Sequence, residues 1–343
     1  MDLLDTVEDY HSRAASILPS NAYEYISGAA GRSQTLQLNR TSYDRIRIRP
    51  RELVNVERRQ LSSTLLGMNF DMPVGISPTA LHRLAHADGE LATARAAEKM
   101  RIPYVLSMFV STSIEQVAQA APAGIKWMQL YLYKDRRISE AVVRRAEQAG
   151  FKAVVLTIDN PVNEDKIIES GDLNFAADFN ASTTWTDVEW LISITTLPII
   201  VKGVMTKEDA LRAVKIGVNA IIVSNHGGRQ LDSVSATIEV LPDIVAAVQG
   251  KVPIIIDGGV TKGTDIFKAL AMGANMVFIG RAPLWGLTVN GQAGVEEILR
   301  LLQRELDNTM ALAGCRTVEE ITKDQVLHEA QYCLTSLVTF GQK

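Results

Sequence analysis

The stretch SNHGGRQLD, residues 224–232, places chemically active side chains directly after the apolar run AIIV. The imidazole of His226 has a reference pKa near neutrality, so it can accept a proton and return it. Arg229 follows closely and carries a planar guanidinium that can pair bidentately with a carboxylate. Gly227 and Gly228 allow a sharp turn that would aim both side chains at one ligand. The stretch predicts proton removal from a small carboxylic acid; the alternative is a capped turn with a solvated arginine.

Two other ionisable residues lie in or at the end of apolar runs. Asp159 ends AVVLTID, where its carboxylate would orient the imidazole of His226 and stabilise the protonated form. Lys202 lies within IIVKGV, and a lysine is rarely buried without a polar or charged partner. The residues alone leave three roles open for Lys202. These are a Schiff-base nucleophile, a fixed cation beside a cofactor that gains negative charge, and an ion pair with Asp159 or Asp257.

Eight apolar runs supply the elements that would position these residues. They are rich in Val and Ile and continuous rather than alternating, which is typical of strands buried on both faces of a parallel sheet. Helical patterns separate them, and the last such pattern, GVEEILRLL, begins at residue 294. The runs are PVGISPT (73–79), YVLSMF (104–109), KWMQLYL (126–132), AVVLTID (153–159), PIIVKGV (198–204), AIIVSNH (220–226), PIIIDGG (253–259) and MVFIGR (276–281).

Eight successive strand–helix units predict an α/β fold, a (β/α)8 TIM barrel over residues 73–300. A doubly wound open sheet is the alternative. Residues 1–65 are predicted to form an N-terminal extension that is helical at first, and residues 160–184 a long loop after the fourth strand. We expect the whole chain, residues 1–343, to be a single domain.

In this fold the active site lies at the C-terminal ends of the strands. A single Ser or Thr at such a place is most often a helix cap, but eight polar or glycine ends on one rim indicate a site. The last two ends predict a phosphate site, because glycine N–H groups approach anions closely and an arginine adds donors. The strand ends are, in order, Pro78-Thr79-Ala80, Ser107, Gln129 with Tyr131, Thr157 with Asp159, Lys202, Ser224 with His226, Asp257-Gly258-Gly259, and Gly280-Arg281.

Composition excludes several classes of function. The chain has 343 residues with 47% apolar residues, 22% charged residues and a net charge of −4, so no basic field favours nucleic acid or an anionic membrane. No apolar run approaches the roughly 18 residues of a membrane span. Cys315 and Cys333 form neither a metal spacing nor a disulfide framework, and no metal centre is expected. The final tripeptide GQK differs from the peroxisomal SKL signal, which leaves peroxisomal and cytoplasmic placement both open.

Through SNHGGRQLD, QLYLYKDR, PIIVKGV and IIIDGGVTKGTDIFKALAMGA, the chain resembles the FMN-dependent 2-hydroxy-acid oxidases and dehydrogenases along nearly its whole length. The likeness is greatest to eukaryotic glycolate and hydroxyacid oxidases. The resemblance implies oxidation of an (S)-2-hydroxy acid, such as glycolate, lactate or a longer acid, to the 2-oxo acid. It further implies FMN as cofactor, molecular oxygen as electron acceptor, hydrogen peroxide as product, and a homo-oligomer that is often a tetramer.

Carried over position by position, the resemblance also assigns roles. His226 would be the catalytic base, oriented by Asp159, and Lys202 would stabilise the reduced ring, which disfavours the Schiff-base role. Tyr25 and Arg229 would hold the substrate carboxylate, with Tyr131 on the reacting oxygen. The FMN ring would be lined by Pro78, Thr79, Ala80, Ser107, Gln129, Thr157, Lys202 and Ser224. The ribityl chain and phosphate would be held by Asp257, Gly258, Gly259, Gly280 and Arg281.

The chain departs from the family pattern in the loop after the fourth strand and near the phosphate. Relatives carry an arginine in that loop that binds the substrate carboxylate, and here Lys166 falls at that place. Lysine keeps the charge and loses the fork, so weaker or altered substrate binding is expected. The loop is also shorter, Thr261 replaces an arginine near the phosphate, and Phe109 replaces a tryptophan of some relatives. Two alternatives follow, an FMN-binding barrel without turnover and a non-redox enzyme with Lys202 as nucleophile.

Overall fold

The computed structural model describes residues 4–161 and 179–331. The N-terminal part contains helices that pack against the later barrel, followed by three short strands. Thr6 caps the first helix in a capping box with Asp9, which explains why it begins there. These elements are α1 (Val7–Ile17), α2 (Ser20–Ser27), α3 (Gln34–Thr41), β1 (Ile46–Ile48), β2 (Ser63–Leu65) and β3 (Met68–Phe70).

Eight parallel strands close into a barrel, and each lies inside one of the predicted apolar runs. The predicted (β/α)8 fold is therefore confirmed. The strands are buried along almost their whole length, as their continuous apolar sequence predicts. They are β4 (Val74–Ile76), β5 (Tyr104–Leu106), β6 (Lys126–Leu130), β7 (Val154–Thr157), β8 (Ile199–Val204), β9 (Ala220–Val223), β10 (Ile254–Asp257) and β11 (Met276–Ile279).

Helices follow the strands and cover the outside of the barrel. Several have clear start signals, such as Ser113 and Thr206, whose hydroxyls accept from the backbone at the third helical residue. The last helix ends at Gly314, which adopts the left-handed conformation that favours glycine. The helices are α4 (Gly89–Lys99), α5 (Ile114–Ala120), α6 (Arg136–Gln148), α7 (Trp185–Ser193), α8 (Lys207–Ile216), α9 (Thr237–Val248), α10 (Gly263–Ala271) and α11 (Arg281–Ala313).

The interior of the barrel is filled by side chains. Trp127 of β6 and Phe278 of β11 meet there in a tilted arrangement, with ring centroids 5.5 Å apart. Leu65 and Phe70, from the antiparallel pair β2–β3, belong to the same buried cluster. Because the interior is packed, a ligand of this barrel binds at the mouth formed by the C-terminal strand ends.

The barrel closes between its first and last strands. Val74 of β4 pairs with Val277 of β11, and on the other side Ile76 pairs with Tyr104 of β5. The segments that follow β4 and β11 are consequently neighbours at the mouth. A final strand, β12 (Val326–His328), pairs antiparallel with β1 and ties the end of the described chain to the N-terminal part.

Helix α3 of the N-terminal part reaches the mouth. Asn39 exchanges two side-chain hydrogen bonds of 2.8 Å with Asn225, the residue before His226. The backbone of Asn39 also touches the turn after β10, where Gly259 has φ +81°, and a methyl group at position 259 would lie 1.8 Å from the Asn39 carbonyl oxygen. The N-terminal part thus contacts two of the strand ends that the sequence predicts to be functional.

The close approach at Gly259 predicts a large loss of stability on substitution. Gly259→Ala is expected to lower the free energy of unfolding by about 3 kcal/mol, because it combines left-handed backbone strain with a clash against backbone. Gly217→Ala is the control, since Gly217 has φ +88° with nothing within 4 Å of the added methyl group, and should cost about 1 kcal/mol. Urea unfolding measures both, and equal effects would contradict the contact with Asn39.

Candidate active site

An imidazole and a carboxylate meet at the mouth of the barrel. His226 follows β9 and Asp159 follows β7, and the His226 Nδ1 atom lies 2.8 Å from Asp159 Oδ1. Strand β8 runs between them, and Gly203 leaves room there: a methyl group at position 203 would lie 2.7 Å from the Asp159 Cβ atom. The absence of a side chain at Gly203 is therefore what lets Asp159 occupy this place.

The electrostatics of this pair suit a base. Burial alone would raise the pKa of Asp159, but the neighbouring His226 and Lys202 together lower it below its usual value. The carboxylate is thus ionised at neutral pH and accepts the Nδ1 hydrogen of His226. Nε2 is then left as the proton acceptor, and the carboxylate stabilises the imidazolium that forms.

Lys202 is almost fully buried, at 3% exposure, and makes polar contacts on two sides. Its Nζ atom donates to Ser224 Oγ at 2.8 Å and lies 3.3 Å from Asp257 Oδ2. Of the three roles left open for Lys202, the structure shows the ion pair with Asp257. A lysine nitrogen held by a carboxylate and a hydroxyl is poorly available for attack, which disfavours the Schiff-base role. Ser224 Oγ also accepts from the His226 backbone at 3.1 Å and so links the two groups.

Four buried polar atoms at the strand ends have no hydrogen-bond partner within residues 4–161 and 179–331. Gln129 Oε1 accepts from the Met108 backbone at 2.9 Å, which leaves the amide nitrogen of Gln129 without a partner. Buried polar groups are ordinarily paired, so this set fits a polar ligand that lies across the strand ends. The hydrogen-bonding edge of an isoalloxazine ring and the hydroxyls of a ribityl chain match it. The four atoms are Gln129 Nε2, Thr157 Oγ1, Asp159 Oδ2 and Asp257 Oδ1.

The predicted phosphate region lies after β10 and β11. Gly258 has φ +102° and Gly280 directly precedes helix α11. Arg281 is partly buried rather than exposed. Its guanidinium donates to the carbonyl oxygens of Ile26 at 3.1 Å and Gly28 at 2.7 Å, and also to that of Gly227. Burial, with the positive charges of Arg229 and Arg40, lowers the pKa of Arg281 to about 10, so a nearby anion would be stabilised.

Arg229 contacts the same N-terminal segment. Its Nη1 atom donates to the carbonyl oxygens of Tyr25 at 2.8 Å and Gly28 at 3.1 Å, and its Cζ atom lies 5.3 Å from the centre of the Tyr25 ring. Gly28 thus accepts from both Arg229 and Arg281. The Nε and Nη2 atoms of Arg229 have no hydrogen-bond partner in the described part of the chain, so two donors of the fork are left for a carboxylate.

Aromatic side chains form one wall of the mouth. The ring of Tyr131 lies 5.6 Å from that of Phe109 and 5.4 Å from that of Phe179. The Tyr131 hydroxyl hydrogen-bonds with Asn160, and burial together with the charge of Asp159 raises the pKa of Tyr131. The phenol is therefore protonated at any physiological pH and can donate a hydrogen bond to a ligand.

The remaining predicted residues lie at the same rim, with one exception. Pro78, Thr79 and Ala80 follow β4, Ser107 follows β5, and Lys166 lies outside the described residues. Sequence reasoning missed Ser77, whose hydroxyl donates to Asp257 at 2.9 Å, and also Asn39 and His82. Ser77 directly precedes the predicted Pro78, but no pattern in the sequence distinguishes Asn39 or His82.

Two absences hold for the described parts of the chain. Within residues 4–161 and 179–331, no three or more His, Cys, Asp or Glu side chains are grouped to hold a metal ion. Of the helices in these ranges, none has the length and apolar character needed to cross a membrane.

The fold and the site define a barrel enzyme with an imidazole–carboxylate pair and a partly unpaired guanidinium at its mouth, above strand ends that fit a phosphate-bearing cofactor. The chain belongs to the FMN-dependent dehydrogenase family, whose model matches residues 14–169 and 164–328. FMN is accordingly its cofactor, and the resemblance found in the sequence is confirmed.

Similar proteins cover nearly the full chain. Glycolate oxidase 3 of Oryza sativa subsp. indica is 44% identical over 96% of this chain and 98% of its own length. Human 2-hydroxyacid oxidase 1 is 41% identical over 93% and 95%. Among solved structures, a mandelate oxidase with (S)-2-phenylpropionate has a TM-score of 0.88 at 36% identity, covering 95% of this chain and 98% of that one. A flavocytochrome b2 variant has a TM-score of 0.90 at 35% identity, covering 94% and 86%.

Proposed function

We propose that this protein oxidises an (S)-2-hydroxy acid to the corresponding 2-oxo acid with FMN, and that molecular oxygen reoxidises the flavin to give hydrogen peroxide. The observation that carries the proposal is the 2.8 Å pair of His226 and Asp159 beside the fork of Arg229. Similarity to glycolate oxidase and 2-hydroxyacid oxidase over nearly the full chain supports it.

His226 is the general base, and its Nε2 atom accepts the proton that the 2-hydroxy acid loses on oxidation. Asp159 holds the ring by Nδ1 and stabilises the imidazolium, so the base is oriented before the substrate arrives. Bound FMN supplies the acceptor for the two electrons that leave the substrate. Tyr131 donates a hydrogen bond to the reacting oxygen, and because its phenol is buried and protonated it cannot compete as a base.

The substrate carboxylate is held by positive charge. Arg229 presents Nε and Nη2, while its Nη1 atom is anchored on the carbonyl of Tyr25. Tyr25 supports the guanidinium with its ring and stands at the same side of the mouth. Lys166 is the further carboxylate contact that we assign from its place in the sequence.

The cofactor is held by the strand ends. Lys202, held by Asp257 and Ser224, would place a positive charge beside the ring of bound FMN and would favour its reduction. The ring is lined by Pro78, Thr79, Ala80, Ser107, Gln129, Thr157, Lys202 and Ser224. The ribityl chain and the phosphate would be held by Asp257, Gly258, Gly259, Gly280 and Arg281.

We assign the oligomeric state from the family resemblance and the compartment from a relative. We assign the chain 1–343 to one domain and expect a homo-oligomer, a tetramer, with no nucleic-acid or membrane partner. The relatives include a peroxisomal (S)-2-hydroxyacid oxidase of Arabidopsis thaliana at 42% identity, which favours a peroxisome over the cytoplasm. An FMN-binding barrel without turnover is disfavoured, because His226 keeps its 2.8 Å pair with Asp159 and the relatives that match nearly the full chain are oxidases.

The test is anaerobic mixing of the FMN-loaded protein with glycolate, (S)-lactate and longer (S)-2-hydroxy acids. We expect the oxidised flavin absorption to bleach with at least one (S)-acid and to persist with its (R)-enantiomer, and peroxide to appear when air is readmitted. Flavin that stays oxidised with every acid would contradict the catalytic proposal and favour a binding barrel.

A further inference from the structure

A buried histidine lies in the loop after β4, beside the segment assigned to the flavin ring. His82 has 0% exposure. Its Nε2 atom lies 2.7 Å from Thr79 Oγ1, and its Nδ1 atom lies 2.9 Å from Thr93 Oγ1 on helix α4. Burial lowers the pKa of His82, so the ring is neutral at physiological pH.

A neutral imidazole donates at one nitrogen and accepts at the other. The hydroxyls of Thr79 and Thr93 therefore play opposite roles, since one accepts from the ring and the other donates to it. Neither hydroxyl makes another hydrogen bond within the described residues. The Thr79 backbone also hydrogen-bonds to this ring, so the Thr93 hydroxyl acts on Thr79 through a histidine that Thr79 contacts at two places.

Glu90 fixes the backbone of the same histidine. The fully buried Glu90 Oε1 accepts from the His82 backbone at 3.0 Å and from the Ser111 backbone at 3.0 Å, and Oε2 accepts from Thr112 Oγ1 at 3.2 Å. Burial raises the pKa of Glu90, and the hydrogen bonds from Ser111 counter that effect. Through these contacts Glu90 joins the loop after β4 to the loop after β5.

Thr79 also borders the end of β11. A methyl group at Gly280 would lie 3.8 Å from Thr79 Cγ2, so Thr79 stands between the two segments assigned to FMN. Three features thus meet at Thr79: a 2.7 Å contact with a buried imidazole, the anchored backbone of that histidine, and a place at the cofactor rim.

We propose that His82, held by Thr93 and Glu90, is a positioning residue that orients Thr79 toward bound FMN. The inference rests on the proposed function, because the contact between Thr79 and the flavin is part of that proposed function. A changed direction of the Thr79 hydroxyl dipole changes the potential at the ring, so the effect reaches the midpoint potential of the flavin as well as its affinity.

The test replaces Thr93, which lies on the far side of His82 from Thr79. Thr93→Val keeps the shape and removes the hydroxyl, and Thr93→Ser keeps the hydroxyl. We expect Thr93→Val to raise the dissociation constant for FMN about fivefold, as for one lost hydrogen bond, and to shift the midpoint potential. Thr93→Ser should restore both values. Thr288→Val is the control, because the buried Thr288 hydroxyl bonds only to its own helix at Leu284.

The outcomes separate this inference from the proposed function. If the unvaried protein takes up FMN and Thr93→Val has the same affinity and midpoint potential, the inference is wrong and the proposed function stands. If the unvaried protein takes up no FMN, the proposed function itself fails. His82→Gln is the second variant and should also shift the potential; an unchanged potential in both folded variants overturns the role of His82.

Discussion

Replacing His226 by asparagine is expected to slow the anaerobic reduction of bound FMN by a 2-hydroxy acid about 10³-fold, as for the loss of a general base. The asparagine amide can occupy the place of Nδ1 and keep the contact with Asp159, which is 2.8 Å long in the structure. The substitution thus removes Nε2 and little else. Stopped-flow absorption of the flavin measures the rate.

His86→Asn is the matched control, because His86 lies in the loop after β4 and touches the Asp88 backbone rather than Asp159. The flavin of His86→Asn should be reduced at the same rate as that of the unvaried protein. His226→Asn should still bind FMN with an unaltered spectrum. A His226→Asn protein reduced as fast as the control would show that another group takes the proton.

Replacing Arg229 is expected to weaken productive binding of the substrate through its carboxylate. Arg229→Lys keeps the charge and loses the planar fork, so KM should rise about 30-fold, as for one lost charged hydrogen bond. Arg229→Met removes the charge as well and should lower kcat/KM about 10³-fold. Steady-state oxygen consumption with an (S)-2-hydroxy acid measures both values.

A change of substrate shows whether the loss of activity in Arg229→Lys comes from the carboxylate contact or from the contacts of Arg229 with Tyr25 and Gly28. The amide of the same hydroxy acid lacks the carboxylate charge. We therefore expect the KM of Arg229→Lys and the KM of the unvaried protein to differ far less with the amide than with the acid. Arg212→Lys, on the exposed side of α8, serves as the protein control. Equal losses with acid and amide would mean that Arg229 acts only by holding Tyr25 and Gly28.

The barrel was predictable because its strands are buried on both faces. Continuous runs such as PIIVKGV and PIIIDGG have few other ways to fold, and the observed strands lie within them. The last helix was predicted only from residue 294, whereas α11 begins at Arg281 and is interrupted at Asn290 and Gly291. That interruption explains the miss, since a non-helical Gly291 at φ +54° breaks the periodicity on which the prediction depends.

The site was predictable where a residue closes a strand. His226, Asp159 and Lys202 were found in this way, whereas Tyr25 came from the family resemblance alone. The contacts of Asn39 with Asn225, and of Arg281 with Ile26, join parts of the chain that are distant in sequence. Local pattern carries no information about such contacts, because they arise only when the N-terminal helices pack over the mouth.

The pairing of β4 with β11 also has a consequence during synthesis. Chains emerge from the ribosome N-terminus first, so β4 has β5 beside it long before β11 is made. Until then its other edge is open, and an open edge invites association with other chains. A nascent chain that lacks residues 276–281 has neither the strand that covers this edge nor the Gly280-Arg281 end assigned to the cofactor, so FMN uptake must follow the synthesis of these residues.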